Sequence, residues 1–433
     1  MWYTKIKNSL FMAVCAFSIL TLTAISGGCA DQNQQKFEAP TLTVEAESFI
    51  SNSGNISIVN EKNSEVSVQT KENDAWLSYK INIPVSGRYS IKLYARNTAG
   101  REAVCWIEDY IDNKDGRTYN VSGNLIVGGN DKGSPRFVQK DGTPMAASSH
   151  YLKLHIEKGT VIIDKLTFTL IREHQITPVV IKSNSEGKGW ELIWCDEFNG
   201  QGLPDTTKWT FDIGNWGWGN NELQYYTAGR LENARQENGT LIMEARKNDH
   251  GYPWSSSRLT TRGKASFLYG KIEFRAKVPV GRGSWAAGWL LGDNYIDELS
   301  WPYCGEIDVL ENVGYELDPN TGNGKTHASI HCGAYYFKLN NQPTAIVDVE
   351  NMNNDFHIYT IEWIPKSITI SVDGRKYFDY HDTSNKLSWP FDKPQNLILD
   401  LAIGGGWGGA RGIDSTLTSQ KMIVDYVRVY ELK

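Results

Sequence analysis

Short segments of alternating apolar and polar residues recur along most of this sequence and constrain its fold more than any other feature. Examples are "AWLSYKINIP", "YGKIEFRAKVP" and "FHIYTIEWIP", which are separated by clusters of Gly, Asn and Ser. A period of two residues is typical of half-buried strands, and no segment of useful length has the 3.6-residue period of a helix. The sequence therefore predicts an all-β protein.

The predicted strands form two groups. The chain has 433 residues, which favours two domains over one. Residues 41–172 contain short strands of the kind found in a small β-sandwich, and residues 190–433 contain a second, longer set. We expect the polar segment 173–189 to link the two β domains.

The first 28 residues have the features of an export signal. Lys5 and Lys7 precede an apolar stretch at 10–25, and small residues lead up to Cys29. This ending is similar to the lipobox of bacterial lipoproteins, in which the cysteine is lipidated, although ordinary signal cleavage is an open alternative. Residues 29–40 would then be a polar tether. The predicted location is the bacterial outer membrane or cell surface, with a periplasmic orientation as the alternative.

Composition limits the possible partners. The formal net charge is −6 and no long basic block occurs, so nucleic acid is not a favoured partner, and membrane contact is expected only through the lipid. Aromatic residues make up 12% of the chain, more than a core usually requires, which indicates a ligand that stacks on aromatic rings. We expect a monomer.

Four cysteines lie beyond the predicted signal and lipidation site. They are Cys105, Cys195, Cys304 and Cys332, and none has the C-x-x-C spacing of a metal knuckle or thioredoxin motif. A disulfide between Cys304 and Cys332 and two isolated buried thiols are both open interpretations.

The stretch "GEIDVLENVG", residues 305–314, places three acids in an apolar run. Alternation along a strand puts Glu306 and Asp308 on one face but sends Glu311 to the other, where an unpaired carboxylate would be buried. One extra residue at a β-bulge around Val309 and Leu310 would return Glu311 to the face of the other two acids. The sequence thus predicts a bulged strand that presents three carboxyls together.

Such a row of carboxyls is suited to glycoside hydrolysis. Each charge raises the pKa of its neighbours, so the row can supply both an ionised nucleophile and a protonated acid, as retaining glycosidases require. A solvated acidic edge or a cation site is the alternative, although an apolar strand lacks the loop carbonyls that Mg²⁺ or Ca²⁺ usually recruits. Trp285, Trp289, Trp301 and Tyr303 flank the acids, and Trp407 lies in the glycine-rich "GGGWGGARG". Aromatic rings in this setting favour sugar binding.

Residues 190–433 resemble glycoside hydrolase family 16, and within it the laminarinase-like endo-β-glucanases. The resemblance rests on "WELIWCDEFNG", "WGWGNNELQYYT", "WPYCGEIDVLENVG", "DFHIYTIEWIPKSITISVDG" and "VDYVRVYE", which follow one another along the segment. It implies a concanavalin-like β-jelly-roll sandwich and retaining endo-hydrolysis of β-1,3-glucan (laminarin) or mixed-linkage β-1,3/1,4-glucan. Glu306 matches the family's nucleophile, Glu311 its acid/base, and Asp308 the carboxyl between them.

The same resemblance implies further site residues. Sugar-binding positions are matched by Asn221, Arg258, Trp285, Trp289, His331 and Trp407. A structural Ca²⁺ is implied at the backbone oxygens of Glu197 and Gly239 and the carboxylate of Asp425, for which a cross-strand hydrogen-bond acceptor is the alternative. No cofactor is implied for catalysis. Gly288 replaces a larger residue of many laminarinases, and we expect it to open space near the cleft.

Residues 41–172 resemble a family 6 carbohydrate-binding module through "LTVEAESF" and "VIIDKLTF". The asparagine that binds sugar in such modules is replaced by Ile162, so a spacer role and glycan capture are both open. Two alternatives also remain for the larger domain. It could hydrolyse a galactan such as agar or carrageenan, or bind surface glycans without cutting them.

Overall fold

The computed structural model describes residues 39–60, 66–70, 73–97, 100–110, 118–129 and 136–433. The predicted signal peptide, Cys29 and most of the tether lie outside these residues. The described chain contains strands and three short 3₁₀ turns, at Ala46–Ser48, Gly314–Glu316 and Phe337–Leu339. The all-β prediction is confirmed. Within the described ranges, no helix has the length and apolar character needed to cross a membrane.

The first β-sandwich is built from twelve strands of the described chain. They are β1 (Thr41–Glu45), β2 (Ser51–Ser53), β3 (Ile56–Asn60), β4 (Val66–Thr70), β5 (Ala75–Asn82), β6 (Gly87–Asn97), β7 (Ala103–Tyr110), β8 (Thr118–Asn120), β9 (Leu125–Val127), β10 (Arg136–Met145), β11 (Ser149–Lys158) and β12 (Val161–Glu173). One sheet has the order β10-β6-β12-β4-β3 with β1 beside β12, and the other has the order β2-β5-β11-β7-β8 with β9 beside β7. Fully buried Leu93, Ile107 and Phe168 belong to the apolar core of this sandwich.

The second sandwich contains the remaining described strands. They are β13 (Val180–Lys182), β14 (Trp190–Asp196), β15 (Thr210–Asp212), β16 (Gln224–Tyr226), β17 (Ala234–Glu237), β18 (Thr240–Asp249), β19 (Tyr252–Ser256), β20 (Arg258–Thr260), β21 (Ser266–Leu268), β22 (Gly270–Lys277), β23 (Ser284–Gly292), β24 (Glu306–Val313), β25 (Gly324–His331), β26 (Thr344–Val349), β27 (His357–Ile364), β28 (Ser367–Val372), β29 (Arg375–Tyr380), β30 (Gln395–Ile403) and β31 (Ser419–Leu432).

Two large sheets make up this second sandwich. The central path of one is β13-β21-β30-β23-β24-β25-β26, and that of the other is β16-β19-β18-β31-β22-β27-β28-β29. Alternation sets the inner faces: in β22, Ile272 and Phe274 are fully buried in the core while Lys271 and Glu273 are half-buried on the outer face. The jelly-roll prediction agrees with this two-sheet architecture.

The segment predicted as a linker contributes a strand to the second sandwich. Within 173–189, β13 pairs in parallel with β21. The two sandwiches also share an apolar cluster, because six side chains of the second join the core of the first: Leu291, Tyr295, Trp301, Cys304, Tyr336 and Ile398. The described parts of the two sandwiches are therefore packed together along an apolar contact.

Backbones approach closely at this contact. A Cβ atom added to Gly142 (φ +92°) would lie 2.1 Å from the carbonyl oxygen of Ile213, and one added to Gly214 (φ +125°) would lie 2.0 Å from that of Asp141. Asn215 accepts a hydrogen bond from the Asp141 amide and donates its own amide to the Asp141 carbonyl, both at 2.9 Å. Glycine is required at both positions because neither leaves room for a side chain.

The four cysteines in the described part of the chain are free thiols. Cys105, Cys304 and Cys332 are buried and Cys195 is half-buried, with no disulfide among them. Cys304 belongs to the shared apolar cluster, whereas Cys332 lies in the core of the second sandwich near the hydroxyl of Tyr380. The isolated-thiol interpretation is confirmed, because the two sulfurs lie in different apolar clusters.

Candidate active site

The predicted β-bulge is present in β24. Gly288 of β23 lies opposite Leu310 and Trp289 lies opposite Asp308, so Val309 is the extra residue. The register with β25 shifts at the same place, between Asp308 and Glu311. Val309 and Leu310 are both fully buried in the core. The bulge thereby returns Glu311 to the face that carries the other two acids, and this prediction is confirmed.

That face forms the floor of a cleft of about 540 Å³. Strands β20, β23, β24, β25 and β30 supply the floor, and loops around 216–222, 298–301, 337–342 and 406–407 supply the walls. The side chains that line it include Trp216, Trp218, Asn220, Glu222, Arg258, Trp285, Trp289, Trp301, Glu306, Asp308, Glu311, His327, His331, Lys338, Asp400 and Trp407. A cleft of this size, with aromatic walls and a polar floor, is typical of a small-molecule or glycan site.

Two tryptophans hold the outer acids of the row. The Trp301 indole N–H donates to Glu306 Oε2 at 2.9 Å, and the Trp285 indole N–H donates to Glu311 Oε1 at 3.1 Å. Each bond leaves the second carboxylate oxygen available to a ligand. The indoles thus fix the orientation of both carboxyls while lining the cleft themselves.

Asp308 lies between them beside His331. His331 Nε2 is 3.4 Å from Asp308 Oδ2 and 3.9 Å from Glu306 Oε1. One ligand atom from each of these three residues lies within 4.8 Å of the others. Asp308 is 3% exposed and its Oδ2 atom has no hydrogen-bond partner among the described residues. A buried carboxyl in this setting favours its protonated form.

The pKa values of all three acids are raised. Burial raises the pKa of Glu306, and the neighbouring Asp308 raises it further. For Glu311, burial and then the charges of Asp308 and Glu306 raise the pKa well above its usual range. Burial and Asp400 do the same to the pKa of Asp308. Three groups stabilise the Glu306 anion: His331, the Trp301 N–H and Arg258. Asp308 and Glu311 have fewer such groups, so Glu306 is the acid we expect to ionise first.

Asp400 is a floor residue that sequence reasoning missed. It accepts hydrogen bonds from the Trp289 indole N–H at 2.6 Å and from the Tyr226 hydroxyl at 2.9 Å. Arg258 is its cross-strand partner. The available signal was an acid within the fully buried strand "QNLILDLAI", the same kind of signal that identified the acids of β24. The missed wall residues Trp218 and Glu222 carry no comparable local signal.

Five of the six predicted sugar-binding residues line the cleft. They are Arg258, Trp285, Trp289, His331 and Trp407. The Trp407 ring is half-buried and contacts the rings of Trp285 and His327 edge-on, with centroids 5.2 and 4.8 Å apart. The Arg258 guanidinium lies 4.8 Å from the rings of both Trp218 and Trp289. The roles of these residues in sugar binding remain predictions.

Two expectations about the cleft are not met. Asn221 is exposed with φ +57° and does not line the cleft, because this left-handed turn leaves its neighbours Asn220 and Glu222 there instead. Gly288 opens no space in the cleft. A Cβ atom at Gly288 would lie 3.3 Å from the ring of Phe274 in the core, since residue 288 faces inward between Ala287 and Trp289, which line the cleft.

The predicted calcium ligands lie together on the other sheet, with one obstacle to ion binding. Asp196 pairs with Val427 and Leu241 with Val424, which brings Glu197, Gly239 and Asp425 to one region. The Asp425 carboxylate forms a close ion pair with Arg275, and the Glu197 carboxylate binds Arg428 with two contacts of 2.8 Å. The carboxylate arrangement fits the ion only if Arg275 releases Asp425, because a guanidinium repels a cation. Calcium therefore stays a prediction.

Comparisons with known proteins agree on one family. The model of glycosyl hydrolases family 16 matches residues 220–428. A β-glucanase of Rhodothermus marinus is 45% identical over 249 residues, which are 56% of this chain and 85% of that protein. The X-ray structure of the laminarinase from Rhodothermus marinus has 44% identity and a TM-score of 0.52, covering 56% of this chain and 98% of that one.

A third comparison concerns a glycan complex. A mutant of a non-specific endo-β-1,3(4)-glucanase was co-crystallised with 1,3-β-D-cellotriosyl-glucose and presents a 1,3-β-D-cellobiosyl-glucose at its active site; it is 40% identical to this chain, with a TM-score of 0.53. The match covers 57% of this chain and 97% of that one.

Proposed function

This chain belongs to glycosyl hydrolase family 16, and we propose that its cleft hydrolyses internal linkages of β-1,3-glucan or mixed-linkage β-1,3/1,4-glucan with retention of configuration. The observation that carries the proposal is the bulged β24 strand, which presents Glu306, Asp308 and Glu311 on the floor of an aromatic cleft. The glucanases similar to this chain support glucan as the substrate.

In the first chemical step, a Glu306 oxygen bonds to the anomeric carbon while the bond from that carbon to the leaving sugar oxygen breaks. Glu311 gives its proton to the leaving oxygen. The Trp301 N–H bond at Glu306 Oε2 leaves Oε1 as the attacking atom. The raised pKa of Glu311, which follows from burial and the adjacent acids, keeps the required proton in place.

In the second step, the roles of the two glutamates reverse. Glu311, now ionised, takes a proton from water as the water oxygen attacks the anomeric carbon, and the bond to Glu306 breaks. The Trp285 N–H stabilises the Glu311 anion during this step. Glu306 leaves as a carboxylate, and the product sugar keeps its original configuration because two inversions have occurred.

Asp308 influences how readily Glu306 ionises. Burial and the neighbouring Asp400 raise the pKa of Asp308 well above its usual range, and Asp308 in turn raises the pKa of Glu306. The charge state of Asp308 therefore tunes the nucleophile, because a like charge beside Glu306 opposes its anion. Asp308 therefore acts as a positioning and tuning residue between the two reacting glutamates.

Product analysis tests the proposed function. Purified protein is incubated in parallel with laminarin, barley mixed-linkage glucan, agarose and carrageenan, and the oligosaccharides are identified by mass spectrometry. We expect products from the first two, and early NMR spectra in which the new reducing end is in the β form. Glu306→Gln and Glu311→Gln test the reacting groups, and the surface change Glu186→Gln is the matched control. Cleavage of only a galactan would refute the glucan substrate, and full activity of Glu306→Gln would refute the mechanism.

For the first sandwich we propose glycan capture on the outward face of the sheet that contains β5, β11 and β7. Strands β5, β11 and β7 are adjacent and carry the half-buried Trp76, Tyr151, Trp106 and Tyr110 on alternating outward positions. The Lys153 ammonium lies 5.3 Å from the Trp76 ring and 4.2 Å from the Tyr110 ring. An outer sheet face is usually polar, so this aromatic face supports sugar stacking over a spacer role.

Affinity electrophoresis in laminarin gels tests capture. The background is Glu306→Gln, which prevents cleavage. We expect Trp76→Ala with Tyr151→Ala to reduce the retardation, and Tyr94→Ala, a half-buried ring on the outer face of the other sheet, to leave it unchanged. Equal retardation of all three proteins would leave the spacer role as the better account.

We also propose that the protein is exported as a lipoprotein anchored at Cys29 and acts as a monomer. Only the sequence of residues 1–29 supports the anchor, with its basic start, apolar stretch and small residues before the cysteine. Mass spectrometry of the N-terminal peptide from native membranes would detect the acyl chains. Cys29→Ala should release the protein from the membrane fraction.

A further inference from the structure

The first sandwich contacts residues that hold the reacting groups of the second. Assuming the hydrolase function proposed above, we infer that this sandwich positions both the nucleophile Glu306 and the cleft residue Arg258. Its positioning residues are Tyr119, Arg88 and Arg172. All three lie outside residues 220–428, the part of the chain that matches the family model.

The first connection runs through one tryptophan. The Tyr119 hydroxyl donates to the Trp301 carbonyl oxygen at 3.1 Å, and the Trp301 indole N–H donates to Glu306 Oε2 at 2.9 Å. Tyr119 is 1% exposed and Trp301 is 8% exposed, so water competes little for either bond. A side chain of the first sandwich is thus two hydrogen bonds from the predicted nucleophile.

Ring packing around Trp301 links the position of this residue to the cleft wall. The Trp301 ring contacts the rings of Tyr336 and Phe337, each with centroids 5.6 Å apart, and that of His331 at 5.9 Å. The Lys338 ammonium, which lines the cleft, lies 4.2 Å from the Tyr119 ring. A shift of the Trp301 backbone would therefore move both the donor to Glu306 and the adjacent cleft wall.

The second connection runs through one buried acid. The Asp212 carboxylate forms ion pairs with two arginines of the first sandwich, Arg172 at 3.0 Å and Arg88 at 3.5 Å. It forms a third ion pair, at 3.3 Å, with Arg258 of the cleft floor. The Asp212 side chain is 5% exposed, so its charge is little screened by solvent. Because Arg258 also lies against Trp218 and Trp289, the position of Asp212 affects three cleft side chains.

These two connections predict different kinetic effects. Loss of the Tyr119 hydroxyl loosens the donor that stabilises the Glu306 anion, so it should lower kcat and raise the pKa that governs the acidic side of the kcat/KM profile. Loss of the Arg172 charge loosens a sugar-binding group, so it should raise KM. A role in folding alone would produce neither effect in protein that remains folded.

The first test is Tyr119→Phe, which keeps the ring and removes only the hydroxyl. We expect kcat on laminarin to fall about fivefold, the size of effect typical of one buried hydrogen bond, and the acidic limb to move to higher pH. Tyr94→Phe removes a hydroxyl from the outer face of the first sandwich and should match wild type. Both proteins are compared at temperatures well below their measured unfolding midpoints.

The second test is Arg172→Met, with Arg172→Lys as the conservative variant. We expect KM to rise about fivefold for Arg172→Met with kcat within twofold, and Arg172→Lys to recover part of the loss because it keeps the charge near Asp212. Arg136→Met, at an exposed position of β10, is the control.

The wild-type result separates the two proposals. If wild-type protein cleaves none of the four polysaccharides, the proposed function fails and this inference fails with it. If wild type is active and Tyr119→Phe and Arg172→Met reproduce its kcat, KM and pH profile, the inference alone is overturned. If a galactan is the substrate, the same comparison on that galactan decides the inference.

Discussion

Replacing Trp285 by Phe isolates the group that tunes the acid/base. The change keeps an aromatic ring on the cleft wall and removes the indole N–H that donates to Glu311 Oε1 at 3.1 Å. A hydrogen bond to a charged group contributes about 1.5 to 3 kcal/mol, and about 1.4 kcal/mol corresponds to one pKa unit. Because the donor favours the ionised form, its loss should raise the pKa of Glu311 by about one to two units.

The assay is the pH dependence of kcat/KM on laminarin. Glu311 must be protonated for the first step, so the basic limb of the profile reports the loss of its proton. We expect this limb to move to higher pH in Trp285→Phe, and kcat to fall at low pH because the more basic Glu311 gives up its proton less readily.

Trp407→Phe is the matched control. The Trp407 ring contacts that of Trp285 and lines the same cleft, so its replacement should change KM through weaker sugar stacking. Its basic limb should stay in place. A basic limb that is unchanged or moves to lower pH in Trp285→Phe would refute the assignment of Glu311 as the acid and of Trp285 as its donor.

Three further changes test charge and metal binding. Asp308→Asn should move the acidic limb of the kcat/KM profile to lower pH, because Asp308 raises the pKa of Glu306. Kinetics measured from about pH 4 to about pH 8 would detect this shift. A shift of the limb to higher pH would contradict the proposed effect of Asp308 on Glu306. Burial opposes ionisation of Asp212, but nearby arginines lower its pKa overall, so its stabilisation is complete above the unfolded pKa and is lost as pH falls. The difference in unfolding midpoint between wild type and Asp212→Asn should therefore shrink on acidification, and a constant difference would show that the charge is not responsible. Added Ca²⁺ should raise the midpoint of wild type but not of Asp425→Asn, and equal shifts would place the ion elsewhere.

The parts of the site that sequence predicted are those that depend on local pattern. Glu311 could share a face with Glu306 only through an extra residue, and the apolar Val309 and Leu310 marked where that residue had to be. A strand with one buried face allows little freedom of register. The acid row and its bulge were therefore predictable from ten residues.

Other features depend on contacts between distant segments. Asp400 reaches the acids of β24 only because β30 and β23 pair, and the Tyr119–Trp301 bond joins residues 182 positions apart. The resemblance to family members predicted that Asn221 lines the cleft. Its left-handed backbone conformation places its neighbours Asn220 and Glu222 there instead. Local periodicity contains no information about such pairings, so they became visible only in the folded chain.

The shared apolar cluster has a practical consequence for dissecting this protein. A chain cut before residue 190 would keep the whole predicted catalytic segment but would uncover Tyr295, Trp301, Tyr336 and Ile398, which are at most 8% exposed in the intact protein. Newly exposed apolar surface of this kind promotes self-association. Poor solubility of such a truncated protein would then reflect the uncovered face and not a failure of the jelly roll to fold. Polar substitutions on that face are a better starting point for a soluble fragment than a shift of the cut along the chain.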